Sequence, residues 1–177
     1  MRLRIALLGL IVAGCGPAGA TVADGTPKDL AEVVEATMAA IEESLPAHSA
    51  CLDGLTITHA WELDNRAEYR LETATIVLRV PSTAAHLEVS LAHEVAHHLD
   101  FACGLGDGTR EAFATAQNLD PAATWDESDS WQSTPAELFA TAVATHVTGR
   151  PDELRQIDIT DDAMAVVARW AVGDPMP

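Results

Sequence analysis

Between residues 27 and 45 the apolar side chains recur at helical spacing. Leu30, Val33, Val34, Met38 and Ile41 fall on one stripe with Thr37, while Glu32, Glu35, Glu42 and Glu43 fall off it. This pattern predicts an amphipathic helix that stops at Pro46. The period then changes. Residues 55–63 and 69–80 alternate and are rich in β-branched and aromatic side chains, with the turn-like LDNRAE between them, which predicts two antiparallel strands. Helical spacing returns over 83–101, with Ser82 as the expected N-cap and Gly104 beyond the end. A short helix is expected over 110–119. A helix over 134–148 follows a loop at 118–133; Thr134 caps it, Pro135 opens it and Gly149 ends it. A last one, capped by Thr160, runs over 161–172. Helix, strands, then several helices is the order of an α+β domain.

The first 26 residues read differently. Arg2 and Arg4 precede an apolar run, Ile5 to Val12, that is too short to span a bilayer, and small residues follow, as in a secretory leader. VAGC, residues 12–15, resembles the bacterial lipobox, in which the cysteine is acylated and becomes the new N-terminus. That resemblance implies a leader over 1–14, a lipid on Cys15 and attachment to the membrane surface. AGA at 18–20 offers a rival cut and free secretion. Both place the chain outside the cytoplasm. Residues 16–26, GPAGATVADGT, read as a flexible tether, leaving 27–177 as one domain. No later run of 18 apolar residues predicts a transmembrane helix.

The net charge of −17 becomes −19 once Arg2 and Arg4 are removed. Such a surface repels phosphate backbones, so nucleic acid is not an expected partner. With Cys15 lipidated, Cys51 and Cys103 remain, and in an oxidising compartment they are expected to form a disulfide.

Chemistry concentrates in LAHEVAHHLD, residues 91–100. His93 and His97 stand one helical turn apart on one face, so two imidazoles can reach a single cation. Glu94 is offset by one position and borders that site. A shuffled chain of this composition gives only about 0.02 H-E-x-x-H matches. The bland alternative is a polar helix face whose histidines are solvated or bonded to acids.

On these residues the segment from Ala74 to Ala142 resembles the zincin zinc metallopeptidases. The resemblance implies Zn²⁺ on His93 and His97, and Glu94 as general base toward a zinc-activated water that attacks a peptide bond. It also implies that the strand before the helix, residues 73–80, is an edge strand that pairs with a peptide substrate. The metzincin pattern fails, because Asp100 and Cys103 stand where it requires Gly and His. The gluzincin pattern fits better: STPAELFATAVATH offers Glu137, the sole acidic residue of its helix, as third ligand.

Two readings of Glu137 compete, because Thr134-Pro135-Ala136-Glu137 is also a capping box. Asp100 is the alternative ligand, or a hydrogen-bond partner for His97. His146 is a candidate oxyanion stabiliser or a cation at a helix end. His86 and His98 read as packing or surface residues, and Tyr69 as structural. Trp125 and Trp131 are expected to form a lid or to anchor the loop. The function so implied is that of a membrane-tethered zinc peptidase. Its alternatives are a zincin-like binding or assembly lipoprotein without catalysis, and a metal-free disulfide-held domain.

Overall fold

A computed structural model describes residues 19–120, 123–127, 130–151 and 157–176. The leader, Cys15 and Ala18 lie outside these residues, as does the Trp131 side chain. The architecture is α+β. In chain order it runs β1 (Thr21–Val22), α1 (Lys28–Ser44), a 3-10 helix (Pro46–Leu52), β2 (Thr56–Ala60) and β3 (Ala67–Arg70). Then come a 3-10 turn (Leu71–Thr73), β4 (Thr75–Arg79), α2 (Ala84–Ala102), α3 (Asp107–Ala116), a 3-10 turn (Trp131–Ser133), α4 (Pro135–Thr148) and α5 (Asp161–Ala171).

The helices follow the apolar periodicity closely. α1 buries Leu30, Val34, Thr37, Met38 and Ile41, the expected stripe. Thr160 caps α5 by accepting from the Ala163 amide at 3.1 Å. At α2 the cap is Thr83 instead of Ser82; its hydroxyl accepts from the His86 amide at 3.3 Å. α3 starts three residues before the expected position, after Gly106, whose φ of +72° suits glycine at the turn into the helix.

The strands depart from expectation. Residues 69–80 do not form one strand: the chain reverses at Leu71–Thr73, with Ala74 left-handed at φ +46°, and makes a hairpin. The sheet order is β1-β2-β4-β3, with β2 parallel to β4 and only β3 antiparallel. The run Ile76-Val77-Leu78 is buried on both faces, 0%, 3% and 0% exposed, so β4 takes the centre of the sheet. β3, Ala-Glu-Tyr-Arg, takes the edge, where polar side chains are tolerated. The edge strand next to the helices is therefore β3, not the segment 73–80. The expected tether is also shorter than 16–26: Thr21 and Val22 pair with Thr56 and Ile57.

α2 lies at the centre of the molecule, packed on β3 and β4 on one side and on α1 and α4 on others; α5 packs on α3 and α4. Leu91, Val95 and Leu99 of α2 share the core with Leu78, Phe113, Phe139 and Val143. Cys51 and Cys103 are joined, Cα to Cα 5.9 Å, tying the first 3-10 helix to the end of α2. Among the described residues no helix is long and apolar enough to cross a membrane.

The disulfide closes a loop of 52 residues, for which chain entropy gives about 4 kcal/mol. Replacing both cysteines by serine is expected to lower the unfolding free energy by about 2–4 kcal/mol in urea titrations. A reductant should bring the wild-type protein to the same midpoint and leave the double variant unchanged.

Candidate metal centre

Helical geometry brings His93 and His97 together, and helix packing supplies the third group. α4 crosses α2, and the first turn of α4 carries Glu137 up to the two imidazoles. Glu137 Oε2 lies 3.0 Å from His93 Nε2, and Oε1 lies 3.3 Å from His97 Nε2. The two Nε2 atoms are 3.3 Å apart. His93 is almost fully buried, whereas the His97 and Glu137 side chains retain 16% and 18% of their exposure, which opens the group on one side. The competition at Glu137 is thereby decided in geometry. Its carboxylate faces the imidazoles, and the Thr134 hydroxyl makes no cap bond to α4; it donates to the Ser130 carbonyl at 3.3 Å.

These three residues form a group able to hold a metal ion. Zn²⁺ bound tetrahedrally at about 2.0–2.1 Å separates its ligand atoms by roughly 3.3 Å. The 3.3 Å between the two Nε2 atoms matches that separation, and Glu137 turns one oxygen to each imidazole, so that one ligand atom from each of the three residues lies within 4.8 Å of the others. Two imidazoles and one carboxylate are also a donor set suited to zinc, with a fourth position left to the cleft.

The electrostatics agree with a site built for positive charge. Burial works against ionisation of Glu137, yet hydrogen bonds from His93 and His97 hold its carboxyl far below the usual carboxylate range. Burial likewise opposes charge on His97. The Glu137 hydrogen bond and the nearby Glu137, Glu94 and Asp100 charges more than offset it, and the His97 pKa is raised.

Glu94 is 7% exposed and stands beside the group. Its Oε2 accepts from the Tyr69 backbone amide at 3.0 Å, so the edge strand β3 fixes how this carboxylate points. His98 is buried, not a surface residue. Its Nε2–H donates to the Cys51 carbonyl at 2.8 Å, which leaves Nδ1 to accept from the Tyr69 hydroxyl at 3.0 Å. Burial lowers the His98 pKa and raises that of Tyr69, consistent with a neutral pair. Tyr69 therefore reaches the centre through its backbone and braces α2 through its ring, a double role that sequence reading passed over.

Compared with known proteins, the chain matches no family model, no curated protein and no solved structure.

Other expected site residues lie elsewhere or act differently. Asp100 neither joins the metal group nor bonds His97; Arg110 and Trp125 occupy its two oxygens, each at 2.7 Å. Its short side chain, nearly two turns from His93, points to α3 and the following loop. His146 sits in the last turn of α4, nine residues from Glu137 and thus about 13.5 Å along the axis, and does not line the cleft, so it is no oxyanion stabiliser here. His86 is exposed and also outside the cleft. Trp125 anchors its loop instead of forming a lid. The cleft itself holds about 660 Å³ and runs from the three-residue group along β3, with Phe101, 51% exposed, on its wall.

In the metal-free protein the two shifts set a pH window. The lowered Glu137 value contributes stability above its unfolded pKa of 4.5, lost as pH falls through the folded value. The raised His97 value contributes below its unfolded pKa of 6.5, lost as pH rises through the folded value. The stability difference between wild type and Glu137→Gln is therefore expected to peak between pH 4.5 and 6.5, at about 1–3 kcal/mol, and to shrink on both sides. Urea midpoints across pH in a chelator measure it.

Proposed function

We propose that this chain is a zinc-dependent peptidase of the gluzincin type, held outside the cytoplasm at a membrane surface by a lipid on Cys15. The observation that carries the reading is the convergence of His93, His97 and Glu137, from two different helices, with one ligand atom from each within 4.8 Å of the others. Zinc held by these residues would supply Lewis acidity, lowering the proton affinity of a water and polarising a substrate carbonyl.

The remaining work falls to side chains of the chain itself. Glu94 takes the proton from the attacking water and passes it to the nitrogen of the leaving amine. Tyr69 orients Glu94 by donating its amide to Oε2, so the carboxylate does not have to be ordered during the reaction. β3 borders the cleft as a sheet edge, where an extended peptide can add as a further strand. The wall formed by Tyr69 and Phe101, rings 6.1 Å apart, offers apolar surface beside the scissile position.

A lipid on Cys15 also limits how far the domain stands from the membrane. Gly19, the first of the described residues, is tied to the domain by donating its amide to Asp53. Four residue steps from Cys15 to Gly19 span at most about 14 Å. The substrates reached are then peptides at or near the membrane surface.

Purified wild-type protein is expected to carry one equivalent of zinc by elemental analysis, and His93→Ala to lose it. Glu94→Gln should keep the zinc and lower peptide turnover by about 10²–10⁴-fold. Zinc bound with no cleavage by either version, across a broad peptide library, would replace this reading by a zincin-like binding module. Absence of zinc from both wild type and His93→Ala would remove both.

A further inference from the structure

Glu137 belongs to a different helix from the two histidines, so its position depends on how α4 is fixed relative to α2. Helix packing sets the distance between the axes but leaves sliding and rotation of the first turn to be set by what holds it. The structure contains such a holding device. The amide of Ala136, an α4 first-turn donor without an intrahelical acceptor, donates to the Trp125 carbonyl at 3.0 Å. The Trp125 indole Nε1–H donates to Asp100 Oδ2 at 2.7 Å. Asp100 Oδ1 accepts from Arg110 Nη2 at 2.7 Å, and the Arg110 guanidinium lies 5.3 Å from the Trp125 ring centre. The ring itself packs against Phe113 and Phe139, at 6.3 and 5.9 Å.

The covalent and hydrogen-bonded path therefore closes on itself. It leaves His97 along α2 to Asp100, crosses to Trp125, passes through the Ala136 amide and arrives at Glu137. Asp100 is only 6% exposed, although the Arg110 side chain keeps 37%, and a carboxylate acceptor makes both bonds charge-assisted. Packing of Trp125 on Phe113 and Phe139 alone would hold the ring but not its rotation. The hydrogen bond to Asp100 fixes which edge of the indole faces α2, and with it where the Trp125 carbonyl meets α4.

We propose that Asp100 is the positioning residue of the metal centre: with Arg110 and Trp125 it forms a latch that sets Glu137 against His93 and His97. This rests on the reading of those three residues as zinc ligands. Asp100 touches neither metal nor substrate, and it acts through Glu137. Asparagine in its place keeps the size but turns an amide toward the Arg110 or Trp125 donors, so one bond is lost and two donors are opposed. Phenylalanine at 125 removes the indole N–H together with part of the ring, so the bond to Asp100 is lost and some of the packing on Phe113 and Phe139 goes with it.

The test is the zinc dissociation constant, measured by chelator competition in wild type, Asp100→Asn and Trp125→Phe, each with Glu137 present and with Glu137→Ala. With Glu137 present, Asp100→Asn is expected to weaken zinc binding about 10–100-fold, and Trp125→Phe by a smaller factor in the same direction. In the Glu137→Ala background, Asp100→Asn should change the constant by less than about twofold, because the group it positions is gone. Cobalt-loaded protein gives a second readout: the visible absorption of Asp100→Asn should move toward that of Glu137→Ala. Equal losses with and without Glu137 would make Asp100 a general structural residue and overturn the latch, as would an unchanged constant and spectrum when Glu137 is present. A wild-type protein that binds no zinc refutes the ligand reading instead, and is read from the same titration.

Discussion

The close approach of α4 to α2 is the constraint on which everything else rests. Histidine and glutamate side chains are short, so a carboxylate on one helix meets imidazoles on another only where the backbones lie near each other. Both helices are furnished for this. α2 buries Ala92 and Ala96 beside its histidines, and α4 buries Ala136 just before Glu137 and Ala140 and Ala144 on the turns after it. Small side chains reduce interaxial distance, and the larger Leu91, Val95, Phe139 and Val143 fill the space left around them. Bulk at the alanine positions would force the helices apart and separate the carboxylate from the rings before any change in the ligands themselves.

That packing has a cost that the polar contacts must offset. α2 is nearly surrounded, and it carries Ser90, His93, Glu94, His98 and Asp100 into the interior. A buried polar group without a partner is destabilising, so each of the last four has been given one. The partners arrive from five separate segments: Glu137 from α4, the Tyr69 amide from β3, the Cys51 carbonyl from the first 3-10 helix, Arg110 from α3 and Trp125 from the loop before α4. Each partner can satisfy its group from one direction only. The polar row therefore specifies how the surrounding elements are arranged around α2, while apolar burial supplies the bulk of the stabilisation. The disulfide sits at the same hub, since Cys51 both bonds His98 through its carbonyl and is tied to the residue after α2.

Much of this was legible in the chain, and the parts that were not share a physical cause. Helices announce themselves through apolar period and caps, and α1, α2, α4 and α5 lie within a residue or two of their expected bounds. His93 and His97 were legible because ligand spacing and helix period coincide, whereas Glu137 was offered only by the resemblance to the gluzincin pattern, against a competing capping box. The reversal at Leu71–Ala74 was not, because it uses no glycine, proline or asparagine; Ala74 takes a left-handed conformation that its identity does not advertise. The alternation therefore reads straight through it, and the edge strand is assigned one strand too late. Asp100 was misread for a different reason. Its proximity to His97 along the helix is local and visible, whereas Arg110 and Trp125, its real partners, are set by tertiary packing. Tyr69 was read as structural, which its ring bears out, but its contact with Glu94 was not legible because it uses the backbone amide, which every residue but proline possesses.

The polar hub also bears on how a cation would be received. Without a metal, Glu137 is shared between two imidazoles, whose hydrogen bonds outweigh burial and lower its pKa, while that of His97 is raised. The atoms that hold protons between them are the same Nε2 and carboxylate oxygens that a cation would need. A divalent ion would therefore compete with protons for this one group of atoms, and binding it would displace the shared proton and leave the site with one more positive charge than before. The α2–α4 packing and the contacts around Asp100 order these atoms in the absence of a metal, so a cation would meet little of the ordering cost at the moment of binding. On the proposed reading, metal affinity and fold integrity are linked mainly through the placement of Glu137, the one member of the group that does not share a helix with the others.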